Sequence, residues 1–191
     1  NNFSVNKILM FEPQKNVYKF IKKKYKDSKF IKIFNYGISK KKGYQTIFIN
    51  KHDLTSSLNK LNKKNTYLNL KAKLFSANID SMIHRSYKIK TNRLDNIIIK
   101  KKIKEIDLLK VDTEGHEYQV LKGLKDKFNI INSILLEHHF DDMIIKNYKL
   151  SNIHDLLIEN GFEKKFKVKM KFRKSFEYIY TNKKFLIKWK K

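Results

Sequence analysis

The chain has no cysteine, a single proline, five glycines and only three arginines among its 191 residues. Without cysteine it has no disulfide framework, no thiolate metal site and no cysteine nucleophile, and a reducing compartment is permitted. Its longest apolar runs, such as Ile97-Ile98-Ile99, are a few residues long, against the roughly 20 needed to cross a bilayer. A soluble, cytoplasmic protein without a transmembrane segment is therefore expected. No Pro-, Gly- or Ser-rich linker and no internal repeat divides the sequence, which predicts one domain over residues 1–191. The chain opens Asn1-Asn2-Phe3 in place of Met and has no apolar signal segment. An upstream part of a longer protein is expected to be missing.

What is abundant is lysine. Lys and Arg number 44 against 18 Asp and Glu, a formal charge of +26, and such an excess ordinarily suggests a nucleic acid or an anionic surface as partner. Lysine runs at 22–24, 40–42 and 100–102, and alternating lysines through 164–171, are interleaved with Phe and Tyr, as on a single-strand platform. Yet Arg85, Arg93 and Arg173 are the only arginines, and Lys, Ile and Asn make up 84 of 191 residues. A groove that reads phosphates or guanines favours the bidentate fork of Arg, so this skew reads as compositional drift at replaceable surface sites. Nucleic acid is disfavoured as partner, and a polyanion-binding module remains the alternative reading.

The drift has a gap. Positions 1–50 carry 12 basic and 2 acidic residues, 51–100 carry 11 and 3, and 151–191 carry 12 and 4, whereas 101–150 carry 9 and 9. Carboxylates persist there for a reason, and Asp112, Glu114 and Glu117 stand within six positions of one another.

Around them the pattern alternates strand and helix. Lys7–Phe11 predicts a strand ending at Glu12, and Pro13 suits the first turn of a helix that runs to about Lys26 with Val17, Phe20 and Ile21 inward. Lys29–Asn35 and Tyr44–Ile49 predict two further strands. Residues 51–90 are loosely patterned and read as a long insertion or loop with a possible short helix. Ile106–Val111 is a strand stopping at Asp112, followed by a helix from Glu114 to Lys127 with Tyr118, Val120, Leu121 and Leu124 inward. Ile131–Leu136 is another strand, ending in Glu137-His138-His139. Ser151 is expected to cap a helix that Gly161 stops, and Phe166–Phe172 with Glu177–Tyr180 predict an antiparallel pair. The whole is an α/β protein with a mixed sheet, and in open α/β sheets ligands lie at the carboxyl ends of the strands.

Three strands end in carboxylates. Glu12 stands where a doubly wound fold places the acid that binds ribose hydroxyls; it equally suits a helix N-terminus. Asp112-Thr113-Glu114-Gly115-His116-Glu117 is the densest titratable cluster. Crowded carboxylates raise one another's pKa, as suits a general base or a cation-binding role, and His116 can titrate near neutrality. Glu114 and Glu117 also suit the first turn of a helix. Glu137, His138 and His139, with Asp141 and Asp142, are ligand types, and Asp112 with Glu137 and one His is conceivable as a metal set. Adjacent strand residues face opposite ways, so His138 and His139 cannot share an ion unless the strand ends there. No metal site is assigned. His52, His84 and His154 are isolated and read as surface residues.

In order, Met10-Phe11-Glu12-Pro13 with Asn16, Arg93-Leu94-Asp95, Asp107 to Glu117 with Val120-Leu121 and Gly123, and Ile134-Leu135-Leu136-Glu137 resemble the FkbM family of S-adenosylmethionine-dependent methyltransferases. The match runs over about residues 7–162. The resemblance implies a Rossmann-like class I methyltransferase sheet with a C-terminal antiparallel pair. It also implies S-adenosylmethionine as cofactor and methyl transfer to a hydroxyl of a sugar, a polysaccharide or a small natural product. By it, Glu12 would hold the cofactor ribose, and Asn35, Gly37 and Ile38 would lie by the adenine. Asp112 and Glu114 would sit near the methionine end and the acceptor, with Asp112, Glu114 and His116 as candidate bases. The family begins with a central strand and a glycine-rich loop that wraps the cofactor. The glycines at 37, 43, 115, 123 and 161 cannot rebuild that loop. The first central strand is therefore expected to be missing between the strands ending at Glu12 and Asp112, and the chain alone to bind cofactor poorly or to be an inactive copy.

Overall fold

A computed structural model describes residues 5–50, 56–66, 69–70, 83–139, 142, 144–169 and 175–186. Asp141, His52 and parts of the 51–90 stretch and of the last strand pair lie outside the described residues.

The first unit is a strand, a helix and a parallel strand. β1 (Ile8–Phe11) pairs in register with β2 (Ile31–Phe34) across the crossover helix α1 (Lys15–Lys24). The inward face of α1 differs from the expected one: no residue of it is buried, and Phe20 is 66% exposed. Ile21 is half-buried as expected, but in place of Val17 and Phe20 its companions are Tyr18 and, just past the end, Tyr25. Their three- and four-residue spacing forms a single stripe, which suffices because a two-stranded sheet offers little surface to cover. Phe11 and Phe34 stack with ring centroids 5.3 Å apart, and Tyr36 packs against both at a tilt, 5.6 and 5.7 Å away.

A second sheet has the order β3-β6-β4-β5, formed by β3 (Gly37–Ile38), β4 (Gly43–Asn50), β5 (Ser56–Ser57) and β6 (Ile83–Asn92). β6 runs antiparallel to β4 and parallel to β3. It occupies the end of the stretch expected to be loop, where its period of two is carried by Tyr87, Ile89 and Thr91 between charged neighbours. α2 (Leu94–Lys100) follows. Its Ile97-Ile98-Ile99 run carries strand propensity, but burial of Leu94, Ile97 and Ile98 in the core outweighs a local preference worth a few tenths of a kcal/mol per residue. Arg93 grips Asp95 with two hydrogen bonds, Nε to Oδ1 at 2.8 Å and Nη2 to Oδ2 at 2.6 Å. Asp95 is only 3% exposed, so one of the chain's three arginines serves to neutralise a buried carboxylate.

The third sheet has the order β7-β8-β10-β9. β7 (Ile106–Val111) lies parallel to β8 (Ile131–His139), β8 antiparallel to β10 (Ser175–Asn182), and β10 antiparallel to β9 (Phe162–Lys169), which gives the expected C-terminal pair. α3 (Glu117–Lys122) and a 3-10 turn (Lys127–Ile130) connect β7 to β8. α3 starts three residues later than expected because Glu114 and Gly115 have φ of 50° and 91°, outside any right-handed helix. α4 (Leu150–Glu159) starts one residue before Ser151, and its cap is made by Asn152, whose Oδ1 accepts the Lys149 N–H at 2.8 Å. Gly161, at φ 85°, ends it. A short helix, α5 (Lys183–Leu186), closes the described chain.

The core lies between the third sheet and α2, α3 and α4, where Leu121, Leu124, Ile131, Ile134, Leu136, Ile153, Leu157 and Phe162 are fully buried. Each such side chain contributes about 1.5–3 kcal/mol relative to exposure. Gly123 lets the end of α3 close onto β3: a Cβ there would stand 2.6 Å from the Ser39 carbonyl oxygen. The single mixed sheet expected is thus divided into three. Among the described residues β1 and β7 each pair on one side only, and Leu108 of β7 is 56% exposed.

Candidate active site

The site is built where β7 and β8 end side by side. Parallel pairing of Val111 with Leu136 brings the next residues, Asp112 and Glu137, level with one another. β8 continues two residues beyond Glu137, so His139 extends the same side of the strand.

After Asp112 the chain makes a tight turn held from inside and outside. Inside, the buried Glu117 carboxylate accepts hydrogen bonds at Oε1 from Thr113 N (3.2 Å), Thr113 Oγ1 (3.1 Å) and Gly115 N (2.9 Å). Its Oε2 accepts one from the Tyr148 hydroxyl. Outside, Ser57 Oγ donates to the Glu114 carbonyl at 2.7 Å, and Asn59 Nδ2 donates to that of Gly115. The left-handed φ of Glu114 is uncommon for a residue with a side chain and persists because these contacts over-determine it.

The turn delivers Glu114 to His139. His139 Nε2 lies 3.2 Å from Glu114 Oε2 and 3.4 Å from Glu137 Oε1, with the imidazole and Glu137 buried. Asp112 stands at the edge of this group, partly open to solvent and 3.6 Å from Lys110 Nζ. Burial holds its carboxyl above the usual range, and the negative charge of Glu137 adds to this, with smaller contributions from Glu114 and Glu117 against the opposing Lys110. A carboxyl so raised is a better proton acceptor than an ordinary aspartate. Two carboxylates on one imidazole, with Asp112 at their edge, also gather negative charge in a chain that is otherwise strongly positive.

The structure sorts the other candidates. His116 is not in this group. It is buried, its Nε2 lies 3.0 Å from Ser39 Oγ, and Gln45 donates to that same hydroxyl. Burial, with a smaller push from Lys40, takes the imidazole down to about 4. His138 faces away from the carboxylates, its ring 6.0 Å from that of Tyr148, and burial lowers it to about 4 as well. Among the described residues no three side chains are arranged as metal ligands.

Glu12 and Asn35 form a second group at the ends of β1 and β2. Glu12 Oε1 accepts the Gln14 N–H at 2.7 Å, and burial holds its carboxyl above the ordinary value. Asn35 Nδ2 donates to the carbonyls of Glu12 and Pro13 at 2.9 and 3.1 Å, fastening the two strand ends together. Gly37 and Ile38 are buried in β3, where they pair with Thr91 and Asn92. Sequence reasoning did not connect Ser57, Asn59 and Tyr148 to the site, because each reaches the turn from a distant segment. Glu137 and His139 stood out in the sequence as titratable ligand types at the end of an apolar strand, but not as partners of Glu114.

Parallel strand pairs joined by helices make this a protein of the α/β class, and both candidate groups stand at strand ends. The family model of the FkbM methyltransferase domain matches residues 2–164, and the chain belongs to that family of methyltransferases. No curated protein and no solved structure matches it. The match includes both groups described above. The Arg93-Leu94-Asp95 and Glu117 elements of the resemblance have structural roles: they hold α2 and the turn in place.

Proposed function

We propose that the chain transfers a methyl group from S-adenosylmethionine to a hydroxyl oxygen of a sugar, a polysaccharide or a small natural product. The observation that carries this reading is the convergence of Asp112, Glu114, Glu137 and His139 at adjacent strand ends.

The residues present suit the cofactor at two of its parts. Glu12 has one oxygen engaged by Gln14 and none of the described hydrogen bonds on the other, which leaves an acceptor for ribose hydroxyls. The carboxylates at the end of β7 and β8 favour a sulfonium and an ammonium group electrostatically. When bound, S-adenosylmethionine supplies a methyl carbon activated by its positive sulfur. The chain's own part is to orient the acceptor and take its proton. Asp112, with its raised pKa and partial access to solvent, receives the hydroxyl proton. Glu114 and Glu137, tied through His139, fix the geometry beside it. His116, engaged by Ser39, is not assigned the base role.

Calorimetric titration of the full-length protein with S-adenosylmethionine tests the reading. Binding heat is expected, Glu12→Ala is expected to weaken affinity about tenfold, and Asp112→Asn to keep binding while losing about 10²–10⁴-fold in transfer rate. No heat, or no effect of Glu12→Ala, would overturn it. The same absence of heat would favour the reading of an inactive copy, which the one-sided pairing of β1 and β7 among the described residues supports.

A further inference from the structure

Beside the Glu114 turn lies an open surface cavity of about 560 Å³. Its floor is apolar. Leu61 and Ile144 form an isolated antiparallel bridge across it, supported by the Ile145 N–H donating to the Lys60 carbonyl at 2.9 Å. Among the described residues its rim carries Lys60, Lys63, Lys64 and Lys146 against one acid, Asp142.

The cavity shares a wall with the candidate active site. A Cβ placed on Gly115 would stand 3.0 Å from Ile144 Cγ2 and 3.4 Å from Lys146 Cγ. Lys146 Nζ donates to the carbonyl of His139, and Asn59, one residue before Lys60, holds the Gly115 carbonyl. A molecule seated on Leu61 and Ile144 therefore lies against the turn that carries Glu114.

Lysine is common throughout this chain, so its presence alone decides nothing. What distinguishes this place is the separation of charge across one turn. On one side stand the carboxylates of Asp112, Glu114 and Glu137; on the other, Lys60, Lys63, Lys64 and Lys146 line an apolar floor. An acceptor with one charged end would be oriented by that gradient, its oxyanion on the lysines and its hydroxyl toward the carboxylates.

We infer that the cavity binds an oxyanion-bearing, hydroxyl-rich small molecule, a sugar carrying a carboxylate or a phosphate, with Lys60 and Lys64 as its anion contacts. That this ligand is the methyl acceptor rests on the proposed function; the anion site itself does not. The experiment is an NMR titration of the whole chain with glucuronate, glucose 6-phosphate and glucose, each in parallel with S-adenosylmethionine. One or both anionic sugars are expected to shift the amides of residues 59–64 and 144–146, and glucose to leave them in place. Glucuronate alone would assign a carboxylate, glucose 6-phosphate alone a phosphate, and both an oxyanion of either kind. Lys60→Ala combined with Lys64→Ala is expected to weaken binding about tenfold, and Lys19→Ala with Lys23→Ala on the exposed face of α1 to leave it unchanged. Equal shifts with glucose, no shifts with either anion, or the same loss in the α1 variant would overturn the inference, the last by showing diffuse charge attraction. Anion binding without cofactor binding would overturn the enzyme reading and leave the cavity; cofactor binding without anion binding would do the reverse.

Discussion

The buried His116 makes the stability of the fold depend on pH. Its imidazole lies at about 4 in the folded chain against an ordinary 6.5, chiefly through burial. A histidine depressed by folding binds protons more readily in the unfolded chain. The stability it contributes is therefore complete above about pH 6.5 and is lost as pH falls toward 4, by up to about 3 kcal/mol. His138 acts in the same direction. Glu12 and Asp112, raised by burial, act in the opposite one, since their ionised forms strain the folded state at neutral pH. Comparing urea unfolding of the wild type with His116→Gln separates the terms: the variant is expected to lose less stability between about pH 7 and 4, by roughly 2–3 kcal/mol. Equal losses would show that His116 is not the group responsible. Position in the motif places His116 among the candidate bases, beside Glu114. Its actual partner, Ser39, is 77 residues away, and no local pattern announces that contact. The pairing of Glu114 with His139 is hidden in the same way, since it joins the ends of two different strands, although both are visible in the sequence as residues able to do chemistry.

At the scale of elements, the strand, turn and helix from Ile106 to Lys122 depend on one carboxylate. Glu117 is 1% exposed and gathers Thr113, Gly115 and Tyr148 around it. Hydrogen bonds to a charged group contribute about 1.5–3 kcal/mol each, and removal of the acceptor leaves buried donors unpaired. Glu117→Ala is expected to cost about 3–5 kcal/mol in urea unfolding, and to cost less when Tyr148→Phe is already present, since the two share a bond. Additive losses in the double variant would show that the pair is not coupled. The residue thus supports the position of Glu114 without touching a reactant. Elements with a plain period are legible without the structure: β7 as an apolar run stopped by Asp112, and β9 with β10 as alternating strands. β6 was not, because Ser86, Lys88 and Lys90 occupy its outward positions, Arg85 shares the face of Tyr87, and among the described residues Ile89 is the one buried aliphatic. Nor was α2, whose β-branched run is helical only because the core receives it. The turn at 113–116 replaced an expected helical start, since left-handed backbone at Glu114 is set by contacts from Ser57, Asn59 and Glu117.

For the molecule as a whole, charge and fold pull against one another. With 44 basic residues and 18 acidic ones, most lysines can have no carboxylate partner. Several of the acids are already committed inside: Asp95 to Arg93, Glu117 to the turn, Glu114 and Glu137 to His139. The surface ion pairs described, such as Lys127 with Asp126, join sequence neighbours and contribute little. The net electrostatic effect on the compact state is therefore repulsive, and it spreads over the surface because every part of the sequence outside 101–150 is basic. Exposed charges further apart than about 10 Å are largely screened at 0.1 M salt, whereas buried pairs are screened much less. Adding sodium chloride should relieve the repulsion while leaving the interior contacts intact. The urea midpoint is expected to rise from low to physiological ionic strength, urea being uncharged and so adding no screening of its own. A midpoint that falls would mean that attractive pairs outweigh repulsion. A flat one would mean that the lysines are already far enough apart for water to insulate them, and that the +26 charge has no bearing on the fold.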